Sequence, residues 1–383
     1  MNEPDKKLYL AIAVLLVWAI AATVALVVRE PKIVIVENNV PAESVESSVP
    51  ATASVPATSK SARKTPVVKN EEPEIAQVVV LAPEPQLATR QAKKPRKPLA
   101  SFRDVGEICI DAQTGKFLTG TRPDAPCPPA SVTKVMTFYL VLDAIEKGQI
   151  KLDDVVTTSR RAEEMGGTQL YLSAGEQANV SEMLYGLMLQ SANDGAVALA
   201  EHVSGNVEKF VELMNATARE LGMNNTRFAT PHGLPPSRKL KNAPKDLSTA
   251  RDLAILTYNL IKRFPQALDY TATKTRYFPA NAKRKEPMPM LNHNKLLTYF
   301  EGCDGFKTGW TNDGASIVTT ASRGNTRVIA VVLGGLVKNR KGQIDAKTSQ
   351  VERNQRAAEL MYTGFQMLDV LKYEPTPHKP QLN

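Results

Sequence analysis

The sequence predicts an α/β (α+β) fold in which an antiparallel sheet is flanked by helices and carries an all-helical middle lobe. Three observations lead there. Strand-like segments stand at both ends of the globular region, at Gly106–Asp111 and Val328–Leu333. Segments of helical period fill the stretch between them. A long amphipathic segment, Gln350 to Leu371, follows the last strand. Strands at both ends with helices between them suggest a sheet flanked by helices, with a helical middle lobe.

Each element has its own signal. Asp104 to Leu118 reads as strand, turn and strand, because Gly106-Glu-Ile-Cys-Ile-Asp111 alternates and Gln113-Thr-Gly115 supplies turn residues. Ser131 to Lys147 reads as a helix stopped by Gly148. Ser181 to Leu189 and Asp194 to Val203 carry apolar faces at helical spacing, and Thr249 to Lys262 is a further helix before Pro265. Ala315 to Thr320 is strand-like. Val328-Ile-Ala-Val-Val-Leu333 is a continuous apolar run with Gly334-Gly335 as its expected stop, hence a buried strand. In the closing helix Ala357, Met361, Gly364 and Leu368 share one face.

The first hundred residues differ in kind. Residues 1–7 form a short polar start, and Leu8 to Val28 is apolar without a single charge. As a helix that stretch reaches roughly 30 Å, enough to cross a bilayer's hydrocarbon core. Ala19-Ile20-Ala21 could serve a signal peptidase, but apolar residues continue to Val28, which favours an uncleaved signal-anchor over 8–28. Residues 29–100 contain no Gly, Phe, Trp or Tyr and ten of the 26 prolines. Such a segment cannot bury enough apolar surface to offset its ordering entropy, so it is expected to be a disordered, proline-stiffened stalk. The globular part is assigned to 101–372, with 373–383 as a tail.

Charge and cysteine content exclude several classes. The net charge is +9, from 48 basic and 39 acidic residues. Residues 29–100 hold 11 basic and 8 acidic residues, and the first 28 are neutral, so +6 remains on the globular part. The basic run Lys93-Lys94-Pro95-Arg96-Lys97 lies in the stalk behind an export signal, where nucleic acid is not an expected partner. Three cysteines and four histidines offer no zinc pattern, and neither metal nor cofactor is expected. Cys109 reads as buried filler. Export would permit a disulfide between Cys127 and Cys303, which spacing alone does not decide.

Three short motifs carry candidate chemistry. Ser131-Val-Thr-Lys134 falls at a predicted helix start, where positions i and i+3 share a face and unpaired backbone N–H groups can meet developing negative charge. A lysine is a base only when neutral. Bringing its pKa from about 10.4 to about 7 takes roughly 4–5 kcal/mol of destabilisation of the ammonium, through burial or a second cation. Ser61-Ala-Arg-Lys64 matches the same spacing, but in the stalk, without helix or pocket. Ser191-Ala-Asn193 interrupts an apolar run at a turn, where both side chains can project into a cleft or simply cap the next helix. Ser204-Gly205-Asn206 repeats that pattern, with Gly205 reading as a C-cap. Lys307-Thr308-Gly309 precedes Trp310-Thr311 at a strand edge, where lysine offers a cation for a carboxylate and glycine permits close approach.

Together and in this order, S-x-x-K, S-x-N and K-T-G are the signature of penicillin-recognising serine enzymes. The flanking text, including Thr230-Pro-His-Gly-Leu234 and Ser248-Thr-Ala-Arg-Asp252, resembles the D-alanyl-D-alanine carboxypeptidases, the low-molecular-mass penicillin-binding proteins, over about Phe102 to Leu371. The resemblance implies a serine β-lactamase/D,D-peptidase-like fold. It implies Ser131 as nucleophile, Lys134 as base, Ser191 as proton relay and Asn193 as a grip on the substrate amide. Lys307, Thr308, Gly309, Trp310 and Thr311 would line the carboxylate and oxyanion positions, and Arg327 matches a family arginine beside the carboxylate site. Partners implied are peptidoglycan stem peptides and β-lactam antibiotics, the latter as covalent inhibitors, with the catalytic part on the outer side of a bacterial cytoplasmic membrane. His232 is expected to be a structural histidine in a turn. Pro235 to Lys245 is a longer, more basic insert than the family usually has at that place. Three alternatives stay open: an endopeptidase cutting crosslinks, a β-lactamase lacking its usual deacylating glutamate segment, and a non-catalytic wall scaffold.

Overall fold

The computed structural model describes residues 102–103, 106–236, 243–281 and 284–373. The expected anchor (8–28), the stalk (29–100), the tail beyond 373 and the middle of the Pro235–Lys245 insert lie outside them. Among the described residues no helix is long and apolar enough to cross a membrane.

A five-stranded antiparallel sheet runs in the order β2-β1-β9-β8-β7. Its strands are β1 (Gly106–Asp111), β2 (Phe117–Thr121), β7 (Cys303–Thr311), β8 (Gly314–Arg323) and β9 (Thr326–Gly335). The first and last strands of the globular region pair, Ile108 opposite Val331 and Cys109 opposite Ala330. The β1–β2 turn is built by Asp111, whose carboxylate accepts from Gln113 N (2.9 Å) and Thr114 Oγ1 (2.6 Å). β9 continues through the expected Gly334-Gly335 stop. The Phe102 ring lies where a side chain at 335 would stand, so these glycines make room for a neighbour and do not end the strand.

Side chains alternate across the sheet and divide the core. Cys109, Ile317, Val328, Ala330 and Val332 face the closing helix α9 (Ala346–Tyr373), meeting Ala357, Met361 and Phe365. The predicted helix face is the one buried. Ile108, Ile110, Val318, Ile329 and Val331 face the helical lobe. Six consecutive fully buried side chains, Val328 to Leu333, explain the uninterrupted apolar run, each contributing roughly 1.5–3 kcal/mol where valine, leucine or isoleucine is concerned.

The lobe contains α1 (Lys134–Glu146), α2 (Arg160–Glu163), α3 (Val180–Tyr185), α4 (Asn193–Ser204), α5 (Val207–Glu220), α6 (Ala250–Arg263) and α7 (Ala267–Ala272), while the short α8 (Leu296–Tyr299) buries Leu296 in the core on the α9 side. The lobe also holds two ribbons, β3 (Val155–Thr157) with β4 (Gln177–Asn179), and β5 (Thr275–Phe278) with β6 (Met288–Leu291). Gly205 caps α4 with φ 79°, as expected, and Asn206 then starts α5 by accepting from Lys209 N at 2.8 Å. Most of the lobe core forms around α1, whose residues from Lys134 to Ala144 are all buried.

Candidate active site

Ser131 does not open a regular helix. Ala130 to Thr133 form a 3-10 turn, and α1 begins only at Lys134. Ala130 takes φ 53°, a left-handed conformation unusual for a residue with a Cβ, and is held there from two sides. A Cβ at Gly309 would stand 2.8 Å from Pro129 O, 3.1 Å from Ala130 Cβ and 3.2 Å from Ser131 N. One at Gly233 would collide with Ala130 O at 1.9 Å. The serine turn is thus wedged between β7 and the His232-Gly233-Leu234 turn. Gly309 is small for the sake of the nucleophile's own backbone, where the sequence suggested ligand approach.

Lys134 stands one turn on, fully buried. Its Nζ lies 2.7 Å from Asn193 Oδ1, 2.7 Å from His232 O and 3.1 Å from Ser131 Oγ. All three partners are uncharged. A neutral amine has two N–H bonds and one lone pair. With the N–H groups donated to the amide and carbonyl oxygens, the lone pair is left for Ser131 Oγ–H. Burial holds Lys134 well below the ordinary lysine value, and the charge of Lys307 pushes the same way, while Asp246 and Asp194 oppose at longer range. Those carboxylates are occupied. Asp246 accepts from Ala229 N (2.6 Å), Thr230 Oγ1 (2.8 Å) and Thr133 Oγ1 (3.2 Å). Asp194 accepts from Leu170 N, Leu172 N and Gly195 N.

The second motif arises from a helix that loses its register. After α3 the chain forms a π turn, Gly186–Gln190, and Ser191 exits it at φ 63° before α4 begins at Asn193. Such π turns mark functional positions in helices. Ser191 is buried. The Asn193 amide is engaged at both ends, Oδ1 by Lys134 and Nδ2 by donation to Gly166 O at 2.7 Å. Its geometry is that of a group positioning the lysine, whereas the resemblance implied a grip on substrate.

Lys307 is 1% exposed on edge strand β7, opposite Val318, with Nζ donating to Thr308 O at 3.0 Å. Burial, followed by the charge of Arg353, holds it at about 7. Arg353, on α9, is a residue the sequence reading missed. Its guanidinium is buried and donates to Gly309 O and Ser316 O, each at 3.3 Å, and to Asn354 Oδ1. It grips the β7–β8 pair behind the K-T-G residues, and burial holds it at about 10. Trp310 and Thr311 finish β7 at a two-residue turn, half-buried.

Arg327 stands away from the level of Lys307. Lys307 pairs with Val318, which pairs with Val331, while Arg327 pairs with Ser322; the guanidinium therefore sits four residues along β9 from the lysine's level. It is bound to Asp304 at 2.7 Å and Thr320 Oγ1 at 3.1 Å. The arginine near Lys307 is Arg353.

His232 is structural, as expected. Its Nδ1 accepts from Leu234 N at 3.0 Å, its carbonyl meets Lys134, and burial, then Lys134 and Arg161, push its pKa down to about 3. All three cysteines are free thiols, and Cys109 is fully buried between β1 and α9. Among the described residues no group of three or more His, Cys, Asp or Glu side chains is placed to hold a metal ion.

A family model described as D-alanyl-D-alanine carboxypeptidase matches residues 92–336. The chain is 38% identical over 265 residues to D-alanyl-D-alanine carboxypeptidase DacF of Bacillus subtilis, covering 66% of either chain. It is 37% identical over 281 residues to DacC of Escherichia coli, covering 71% of this chain and 63% of that one. The chain thus spans about two thirds of the length of these relatives. Penicillin-binding protein D2 of Listeria monocytogenes, solved in its ampicillin-bound form, superposes with a TM-score of 0.57 at 28% identity, over 68% of this chain and 97% of that one.

Proposed function

The chain belongs to the D-alanyl-D-alanine carboxypeptidase family, and on that premise we propose that it is a serine D,D-carboxypeptidase removing the terminal D-alanine from peptidoglycan stem pentapeptides. One observation carries the reading. Lys134 Nζ is buried among three uncharged partners, Asn193 Oδ1, His232 O and Ser131 Oγ, so once deprotonated it can donate to the first two and offer its lone pair to Ser131. That is the arrangement of a neutral base beside a nucleophile.

The reaction runs as follows. Ser131 Oγ attacks the carbonyl between the last two D-alanines, and Lys134 takes the hydroxyl proton. The oxyanion is met by the backbone N–H groups of Ser131 and Trp310, one such donor being worth about 3–4 kcal/mol. The C–N bond breaks, and the leaving amine receives a proton passed from Lys134 by way of Ser191. Water then attacks the ester, losing its proton to Lys134, and Ser131 is released. Lys307 with Thr308 and Thr311 binds the substrate's terminal carboxylate. A β-lactam acylates the same serine by ring opening, which leaves no diffusing amine. Residues 8–28 anchor the chain in a bacterial cytoplasmic membrane, and 29–100 space the enzyme from it on the outer side. The support for anchor and stalk is composition alone.

The test is D-alanine release from a pentapeptide, comparing the native chain with Ser131→Ala, together with intact-mass detection of a penicilloyl adduct. Release and adduct both vanish in the variant on this reading. An adduct that persists in Ser131→Ala refutes the mechanism, and release solely from crosslinked dimers replaces it with an endopeptidase. Fractionation of cells expressing the chain checks the anchor, which fails if the protein leaves the membrane without detergent.

A further inference from the structure

The outer rim of the site carries exposed aromatic side chains that the proposed chemistry does not use. The loop from Gly166 to Leu172 lines Asn193 on one side, with Thr168 O accepting from Asn193 N at 2.8 Å and Gly166 O from its amide. Leu170 and Leu172 are buried, and Asp194 grips the backbone N–H of both, at 3.0 and 3.1 Å. Between these two fixed points Tyr171 is forced outward. It has φ 57° and is 67% exposed. A large aromatic held in a left-handed conformation and aimed at solvent by a buried carboxylate is strain without a packing reward.

The loop is laced to the β5–β6 ribbon. Arg284 Nη1 donates to Leu170 O at 2.9 Å, Nη2 donates to Pro279 O at 2.9 Å, and the guanidinium lies over the Phe278 ring. The inner face of the ribbon is filled, Arg276 pairing with Glu182 and stacking on Tyr185. The outer face is open. Tyr277, opposite Pro289, is 62% exposed, and Leu291, opposite Thr275, is 52% exposed. The alternation continues past the strand to His293, which is also exposed. The next residue, Asn294, donates to Gly305 O on β7 at 2.6 Å, two residues before Lys307. The strip therefore begins beside the strand that carries Lys307 and runs to the loop that lines Asn193.

From this continuity we propose that Tyr171 and the outer face of the β5–β6 ribbon, with Tyr277 and Leu291, form a docking platform for the glycan strand of peptidoglycan, onto which amino-sugar rings stack while an attached stem peptide enters the cleft. The proposal deepens the carboxypeptidase reading and rests on it for the choice of polymer. Aromatic rings present flat apolar faces that suit the C–H faces of pyranose rings. Tyr277 pairs with Pro289, so Leu291 is its diagonal neighbour across the ribbon, about 7–8 Å away, and the two give separate contact points for successive rings. The rings alternate with polar and charged residues, among them Thr275 and Lys295, which suits a hydroxylated polymer better than a lipid surface, for which one contiguous apolar patch is wanted.

The test compares the full-length chain in detergent with a Tyr171→Asn/Tyr277→Thr double variant. Asparagine tolerates the left-handed backbone and threonine keeps strand propensity, and an unchanged rate of penicillin acylation confirms an intact cleft. Two readouts decide. Calorimetric titration with the β-1,4-linked N-acetylglucosamine hexamer is expected to show binding that weakens about tenfold in the variant. kcat/KM for D-alanine release is expected to fall about tenfold on glycan-linked pentapeptide and to stay constant on free pentapeptide. Equal loss on both substrates, or no loss on either with sugar binding unchanged, overturns the proposal. So does a loss confined to binding of phosphatidylglycerol vesicles, which would assign the strip to the membrane. If the native chain releases D-alanine from neither substrate, the carboxypeptidase reading fails, and the sugar titration still decides the platform.

Discussion

Replacing Asn193 by aspartate changes one atom type at the point where Lys134 is kept uncharged. Asn193 is 1% exposed, and its Oδ1 stands 2.7 Å from Lys134 Nζ. A carboxylate there places a negative charge about 4 Å, centre to centre, from the ammonium. At an effective dielectric of about 20 that attraction is about 4 kcal/mol, or about three pKa units. Part of it is offset because the new carboxylate is itself buried and resists ionisation. The lost donation to Gly166 O adds little, since Gly166 is exposed and water can replace the amide. The sign follows from linkage. Lys134 serves as base above its pKa, so raising that pKa moves the acid limb of the acylation profile upward. Acylation by a fluorescent penicillin, measured between about pH 6 and 11, should fall roughly 100- to 1000-fold at pH 7 and recover as the pH rises. A variant that acylates at the native rate with an unshifted limb would refute the idea that an uncharged pocket sets the lysine's state.

Other perturbations separate the parts of the site. Gly309→Ala should slow acylation about 100-fold with the fold intact, because its Cβ displaces the Ser131 turn; circular dichroism and penicillin labelling together check this. Arg353→Met removes the cation second to burial in lowering Lys307, so Lys307 stays protonated to higher pH. The alkaline loss of substrate binding, expected near pH 7 in the native chain, should move upward in a KM–pH profile. His232→Gln should leave kcat within about tenfold, since the ring plays no part in proton transfer. The pKa of His232 is depressed in the folded state, so its contribution is present above about 6.5 and is lost as pH falls toward about 3. Thermal melts should accordingly show a shallower acid-side decline in the variant.

The sequence made the chemistry legible where spacing has a direct geometric meaning. Ser131 and Lys134, three residues apart, meet across one turn even though that turn is 3-10 and not α, and the apolar face of α9 needs only its period. It failed where tertiary register decides. Arg327 and Lys307 sit on strands of one sheet, and only the ladder shows them four residues out of line. Arg353 reads as an ordinary charge in an amphipathic helix, because nothing local shows that α9 presses it against Gly309 O. The fit of Gly309 and Gly233 around Ala130 also joins distant segments. One missed element had a readable signal: α5 opens with an Asn206 cap and buries Val207, Phe210, Met214 and Ala218 at helical spacing.

The central claim is that Lys134 is a neutral amine in the resting protein. Selective ε-carbon labelling of lysine, with the Lys134 resonance assigned through a Lys134→Arg variant, lets its titration be followed by NMR. The account predicts that its transition lies well below the ordinary value of 10.5. A Lys134 resonance that stays in its ammonium position until about 10.5 would contradict it.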